Sequence, residues 1–257
     1  MFELKALIFD VDGTLADTEK DGHRVAFNRA FEEANLDWNW SVDEYDELLS
    51  VTGGKERIRH FLTLRLPEFL HEQQQAGTLD ELIKKLHARK TYFYTQLLSE
   101  GAIPLRPGVK RLLDEARDQG FRLAIATTTT PANVTSLLES TLGKESIEWF
   151  EVIAAGDIVP KKKPAADIYD YTLEKMNLKP EQCVAFEDSS NGIQSSLGAN
   201  LKTIITQNHY TETHDFTGAA VVLDHLGEPD AACTCIAGDI KDASYVSMEV
   251  VKQLFNS

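Results

Sequence analysis

Six short apolar runs punctuate the chain, at residues 4–9, 121–127, 150–154, 182–186, 202–206 and 219–223. The first, Leu-Lys-Ala-Leu-Ile-Phe, is nearly continuous rather than alternating, the pattern of a strand buried on both faces. Helical patterns lie between most of the runs. After Pro107-Gly108, the residues Val109, Leu112, Leu113 and Ala116 share one helical face, and Gly120 stops it. Further on, Thr130 suits an N-cap, Pro131 the first helical position, and Val134, Leu137 and Leu138 an inward face. Strands alternating with short helices predict an α/β fold, a doubly wound parallel sheet of Rossmann-like type.

Residues 17–100 break this rhythm. They hold five Val or Ile in 84 positions, against seven in the 40 positions of 121–160, too few for more buried strands. Phe27, Ala30, Phe31 and Ala34 repeat at helical spacing, as do Leu79, Leu82, Ile83 and Leu86. The expected organisation is a core of 1–16 and 101–229 and a helical insert of 17–100. A tail of 230–257 completes the chain, ending in an amphipathic helix with Val250, Val251, Leu254 and Phe255. Lys and Arg total 26 against 41 Asp and Glu, a net charge of −15. That balance argues against a nucleic-acid partner and against an anionic membrane surface. No apolar run approaches the roughly 18 residues of a bilayer span, and Met1-Phe2-Glu3-Leu4-Lys5 leads straight into a strand. Three cysteines, Cys183, Cys233 and Cys235, make no disulfide framework. The expected setting is the cytoplasm, and the expected state a monomer.

The chemistry-bearing residues stand at the ends of the runs. The first run leads into Asp10-Val11-Asp12-Gly13-Thr14, and the second ends in Thr127. Lys161-Lys162-Lys163-Pro164 comes after the third, and the fourth leads into Glu187-Asp188-Ser189-Ser190-Asn191-Gly192. Open parallel sheets bind ligands outside the carboxyl ends of their strands. Two carboxylates two residues apart can converge there, and the glycine permits a sharp turn. Asp and Gly are also ordinary turn residues, but carboxylates gathered at strand ends make a hard, oxygen-rich site suited to Mg²⁺. Lys161 and Lys162 read as a solvated surface run; Lys163 does not.

In that order, Asp10-Val-Asp12-Gly-Thr14, Thr127, Lys163-Pro164 and Glu187-Asp188 resemble the motifs of the haloacid-dehalogenase (HAD) superfamily of phosphohydrolases. The helical insert stands where that superfamily carries a cap domain. The resemblance implies Mg²⁺ held by Asp10, the Asp12 backbone carbonyl and Asp188, with Glu187 in support. It makes Asp10 the nucleophile that forms an aspartyl-phosphate, splitting one hard step into two. Asp12 becomes the general acid and then the base. Thr127 and Lys163 neutralise and orient the transferring phosphoryl oxygens.

A finer resemblance, to the CbbY branch of xylulose-1,5-bisphosphate phosphatases, is carried by three stretches. They are Asp17 to Asn28, Val51-Thr52-Gly53-Gly54-Lys55-Glu56-Arg57, and Thr127-Thr128-Thr129-Thr130-Pro131-Ala132-Asn133. The middle one is no nucleotide P-loop, because Glu comes after Lys55. Its glycine N–H groups and two cations still suit a phosphate. Gly53, Gly54, Lys55 and Arg57 are therefore expected to hold the distal phosphate of a sugar bisphosphate, with the Arg57 guanidinium as anchor. The same resemblance places Asp17, His23, Tyr45, His87, Arg89, Lys90, Thr128, Thr129 and Asn133 around the substrate. Two departures stand out. Asp17 occupies a position where the branch carries Glu, and Leu197-Gly198-Ala199-Asn200 replaces an Ala-Gly ending, with Asn200 able to close a helix in the left-handed conformation. Cys233-x-Cys235 has no second pair at zinc-site spacing and reads as ordinary thiols. The rival reading is a sugar-phosphate mutase resembling β-phosphoglucomutase, which shares Asp10 and Asp12. A silent phospho-ligand binder is opposed by the intact set of Asp10, Asp12, Thr127, Lys163 and Asp188.

Overall fold

A computed structural model describes residues 3–51 and 54–257. The strands are β1 (Ala6–Phe9), β2 (Arg122–Ala126), β3 (Phe150–Ala154), β4 (Cys183–Glu187), β5 (Lys202–Thr206), β6 (Val221–Leu223) and β7 (Cys235–Gly238). They form one sheet in the order β3-β2-β1-β4-β5-β6-β7, parallel throughout except for the antiparallel β6–β7 pair. The expected parallel sheet is therefore present, with an antiparallel edge strand that the apolar runs did not announce. Chain order reverses between β1 and β4, and such a switch point opens a crevice at the carboxyl ends of the strands. Register fixes the residues that meet there. Phe9 pairs with Ile125 on one side and with Phe186 on the other, so the residues after β1, β2 and β4 emerge level with one another.

The chain separates into two units. The larger runs to Asp17 and resumes over Ile103–Ser257; the smaller is Thr18–Ala102. In the smaller unit, a rare π-helical turn at Thr18–His23 leads into α1 (Arg24–Glu33), then α2 (Val42–Leu49), α3 (Gly54–Arg65), α4 (Pro67–Gln75) and α5 (Leu79–Ser99). With so few β-branched residues, aromatic side chains fill its interior. Trp40 is fully buried, with its ring 4.6 Å from Phe27 and 4.9 Å from Phe31. Asn28 fixes the backbone of Trp40 with a reciprocal pair of hydrogen bonds, 2.9 and 2.8 Å.

In the larger unit, α6 (Val109–Asp118), α7 (Pro131–Leu142), α8 (Asp167–Met176), α9 (Ser190–Gly198) and α10 (Met248–Asn256) accompany the sheet. Alternation along the strands sorts small from large. Ala6, Ala124, Ala126, Ala154 and Ala185 present a low surface on which Ile168, Tyr169, Leu173 and Met176 of α8 pack. Phe9 and Phe186 stack at 4.5 Å. Thr130 caps α7 by accepting from the Asn133 N–H, Pro131 opens it, and Asn200 closes the turn after α9 with φ of 61°, all as the sequence indicated. The tail supplies β7 and α10. Cys183 is buried, Cys235 exposed, and all three thiols are unpaired with one another.

Candidate active site

The crevice above β1, β2 and β4 gathers the motif residues. Asp10 comes directly after β1 and its N–H donates to the Phe186 carbonyl. Glu187 ends β4 and Asp188 is the next residue. Carboxylate oxygens of Asp10, Glu187 and Asp188 lie within 4.8 Å of one another, and all three residues are buried. Lys163, on the loop after β3, donates from Nζ to Asp10 Oδ1 and Glu187 Oε1, each at 2.6 Å, and to the Ala126 carbonyl at 2.9 Å. Its neighbour Lys162 instead pairs with Asp157 at the surface. Thr127, directly after β2, is buried, and its hydroxyl accepts from the Thr129 N–H. Asp12 sits half-buried in the turn that the Gly13 N–H closes on the Ala16 carbonyl.

Two glycines make this crowding possible. Gly13 has φ of +84°, and a Cβ there would sit 2.0 Å from Asp188 Oδ2. A Cβ on Gly192, in the first turn of α9, would sit 1.9 Å from Glu187 Oε2. Both positions exclude any side chain if the carboxylates are to stay where they are. Gly13→Ala should therefore displace Asp188 as well as strain the backbone by about 1–2 kcal/mol. The expected result is a folded protein that has lost about 10²-fold or more in activity. Activity within a few fold of wild type, measured alongside a melting curve, would show that the close approach is dispensable.

The electrostatics arise from packing three acids against one ammonium. Burial pushes the Glu187 carboxyl up to about 7, Lys163 opposing and Asp10 adding to the rise. Burial, then the charges of Asp10 and Glu187, drive Asp188 well above the ordinary carboxylate range, against the pull of Arg106 and Asn208. Burial would lower the Lys163 ammonium, but Asp10 and Glu187 outweigh it and hold Lys163 firmly protonated. Three carboxyl groups share one ammonium in a buried, oxygen-lined site, and two of them resist ionisation there. These residues fit a hard divalent cation, which supplies the missing charge.

Three further residues, none assigned a role from the sequence, support the site. The Tyr169 hydroxyl on α8 donates to Glu187 Oε1 at 2.5 Å, and Asn208 Nδ2 donates to Asp188 Oδ2 at 2.7 Å. Arg106 is buried beside the same loops. Of the residues expected to line the substrate in this unit, Asn133 Nδ2 donates to the Thr129 hydroxyl, Thr128 is exposed, and Asp17 Oδ1 stands 3.4 Å from Arg106 Nε.

The helical unit has a polar cluster of its own. Tyr45 donates its hydroxyl proton to Glu19 Oε2 at 2.7 Å and accepts from Arg57 Nη1 at 2.7 Å. Lys90 Nζ meets His23 Nδ1 at 2.9 Å. Burial, then the Lys90 charge, pulls the His23 imidazole down to about 3, so it is neutral and accepts from Lys90. Burial favours a neutral Glu19, yet its His23, Arg57, Tyr45 and Lys90 surroundings hold that carboxyl below its usual range. His87 lies against Gly54, where a Cβ would meet its ring at 2.7 Å. Lys55 is exposed. Gly53 lies outside the described residues. Arg57, the expected distal-phosphate anchor, is buried and donates to the Leu48 and Val51 carbonyls besides Tyr45. Arg89 stands apart from the cluster, in a two-pronged pair with Glu33 at 2.5 and 2.6 Å. Glu19 lies within the Asp17 to Asn28 stretch, but nothing in the sequence singles it out from its acidic neighbours.

Residues 4–200 match the family of haloacid dehalogenase-like hydrolases. The chain belongs to that family, and its class is phosphoric monoester hydrolase, a phosphatase. It is 48% identical to the protein CbbY of Rhodobacter capsulatus, over 84% of this chain and 91% of that one. It is 44% identical to a CbbY protein of Cupriavidus necator, over 88% and 87%. A crystal structure of a CbbY mutant from Rhodobacter sphaeroides in complex with xylulose-1,5-bisphosphate is similar with a TM-score of 0.69 and 43% identity, covering 86% of this chain and 94% of that one. Within the family, the chain falls in the CbbY-like branch. No helix among the described residues is long and apolar enough to cross a membrane.

Proposed function

We propose that this phosphatase hydrolyses a sugar bisphosphate, xylulose-1,5-bisphosphate, with Mg²⁺ as its cofactor and the Thr18–Ala102 unit as its substrate-recognising cap. The observation that carries the reading is the convergence of the Asp10, Glu187 and Asp188 carboxylates, the first two bonded to Lys163. Likeness to a CbbY seen with that bisphosphate supports the choice of sugar. Asp10, Asp188 and the Asp12 carbonyl would hold the cation, with Glu187 in support, and when bound it would offset charge on the transferring phosphoryl group. An Asp10 carboxylate oxygen attacks phosphorus as the bond to the sugar oxygen breaks, and the Asp12 carboxyl gives its proton to that oxygen. Asp12, now a carboxylate, takes a proton from water, which attacks the aspartyl-phosphate and releases phosphate and Asp10. Thr127 and Lys163 donate to the phosphoryl oxygens throughout.

Asp12→Ala tests the acid–base role. It should bind substrate and metal nearly normally while losing about 10²–10⁴-fold in turnover. A loss of Mg²⁺ affinity exceeding the loss of turnover would make the Asp12 side chain a ligand instead. A substrate panel tests the reaction itself. Xylulose-1,5-bisphosphate should release inorganic phosphate in a Mg²⁺-dependent, chelator-sensitive reaction, and β-glucose-1-phosphate should not be isomerised. Isomerisation without phosphate release would establish the mutase.

A further inference from the structure

We infer that Arg106 is a positioning residue that sets the spacing between the nucleophile turn and the loop that holds Asp188. Arg106 enters where the chain returns to the larger unit, its own N–H donating to the Leu15 carbonyl at 2.8 Å. The side chain is buried, and its contacts spread over three separate segments at the carboxyl ends of the strands. Nη1 donates to the Gly13 carbonyl, next to Asp12, and to the Thr206 carbonyl at 2.7 Å. Nη2 donates to the carbonyls of Gln207 at 2.6 Å and Asp224 at 2.5 Å. Nε faces Asp17 Oδ1 at 3.4 Å. A guanidinium has five N–H donors in a rigid fork; here both terminal nitrogens donate to two carbonyls each, and Nε is in ion-pair range of Asp17.

The pattern joins the two arms of the site. One arm is the Asp10–Gly13 turn, gripped at the Gly13 carbonyl. The other is the segment after β5, gripped at Thr206 and Gln207, one residue before the Asn208 amide that holds Asp188. Gly13 and Asp188 already approach so closely that no Cβ fits between them. A shift of either loop therefore moves Asp188 relative to Asp10 and Asp12. Backbone carbonyls converging on one point repel one another unless a cation with several directed donors sits among them. Lysine could supply the charge but not the fork.

This inference rests on the proposed roles of Asp10, Asp12 and Asp188, and the test separates the two. Arg106→Lys and Arg106→Ala are compared with wild type in three measurements. In metal-free protein, amide hydrogen exchange over 11–16 and 206–209 should speed up in both variants. Calorimetric titration with Mg²⁺ should show binding weakened by roughly tenfold or more in both. With p-nitrophenyl phosphate, kcat should fall roughly 10–100-fold while KM changes little. If Arg106→Ala does not fold, Arg106→Lys, which keeps the charge and most of the volume, decides alone. Wild-type-like exchange, Mg²⁺ affinity and kcat in Arg106→Lys would overturn the inference, because charge alone would then suffice. A lowered melting temperature with unchanged Mg²⁺ affinity and kcat would also overturn it, reducing Arg106 to a fold-stabilising residue. Failure of wild type to turn over any phosphate ester would sink the proposed function, while exchange and Mg²⁺ binding would still judge Arg106.

Discussion

Asp10→Asn is expected to abolish turnover, by about 10⁴-fold or more, while leaving the protein folded. The amide is isosteric, so the packing above β1 is kept, but it can neither attack phosphorus nor bind a hard cation well. Its effect on stability runs the other way. In the metal-free protein, Asp10 adds to the rise of both the Glu187 and Asp188 carboxyls. Removing its charge relieves two buried neighbours at the cost of one ion pair with Lys163. The melting temperature of the metal-free variant should match or exceed wild type, and Mg²⁺ should raise it less. Turnover near the wild-type level would remove Asp10 as nucleophile. A clear fall in metal-free stability would show that the Lys163 pair outweighs the repulsion.

Lys163→Met removes the ammonium instead, and here activity and stability should fall together. Its side chain is 7% exposed and bonded to both Asp10 and Glu187 at 2.6 Å. Stripping the partner from buried charges costs about 3–5 kcal/mol, and losing a donor to the phosphoryl oxygens costs about 10²–10³-fold in kcat. The loss of stability should depend on pH in a defined direction. Glu187 has a folded-state pKa already raised to about 7, above its ordinary 4.5, and without Lys163 it rises further. A carboxyl raised in the folded state favours folding when protonated, so that contribution is complete below the unfolded pKa and is lost as pH rises through the folded one. Metal-free wild type should therefore lose stability from this group as pH climbs from about 4.5 past 7. The variant should show a steeper decline extending to higher pH. Parallel melting curves for the two proteins between pH 5 and 8.5 test this; equal slopes would mean that Lys163 does not govern the ionisation of Glu187.

Local patterns make the parallel sheet and much of its crevice legible along the chain. Strands buried on both faces must be apolar along their length, so β1 to β6 are visible as runs, and the residues just after each run must emerge at a strand end. That is why Asp10, Asp12, Thr127, Glu187 and Asp188 stand out at strand ends, whereas Lys163, nine residues past the third run, is picked out by its resemblance to the family motif. The helical insert is legible because buried strands need β-branched residues and the segment lacks them. β7 escaped because all four of its residues are exposed, so the brief Cys-Ile-Ala stretch does not read as a buried strand. Which side chain supports which carboxylate is settled by long-range packing. Arg106, Tyr169 and Asn208 touch the site from positions scattered along the chain, and the strand order and register that bring them there are set by packing. A lone Arg or Asn in a loop has no local pattern to betray a partner 93 residues away, as for Arg106 and Gly13, or 20 away, as for Asn208 and Asp188. The same holds for Arg57 and Arg89. Sequence shows a cation and a favourable neighbourhood, but whether its guanidinium turns inward to Tyr45 or outward to Glu33 depends on which carbonyls and carboxylates the fold leaves in reach.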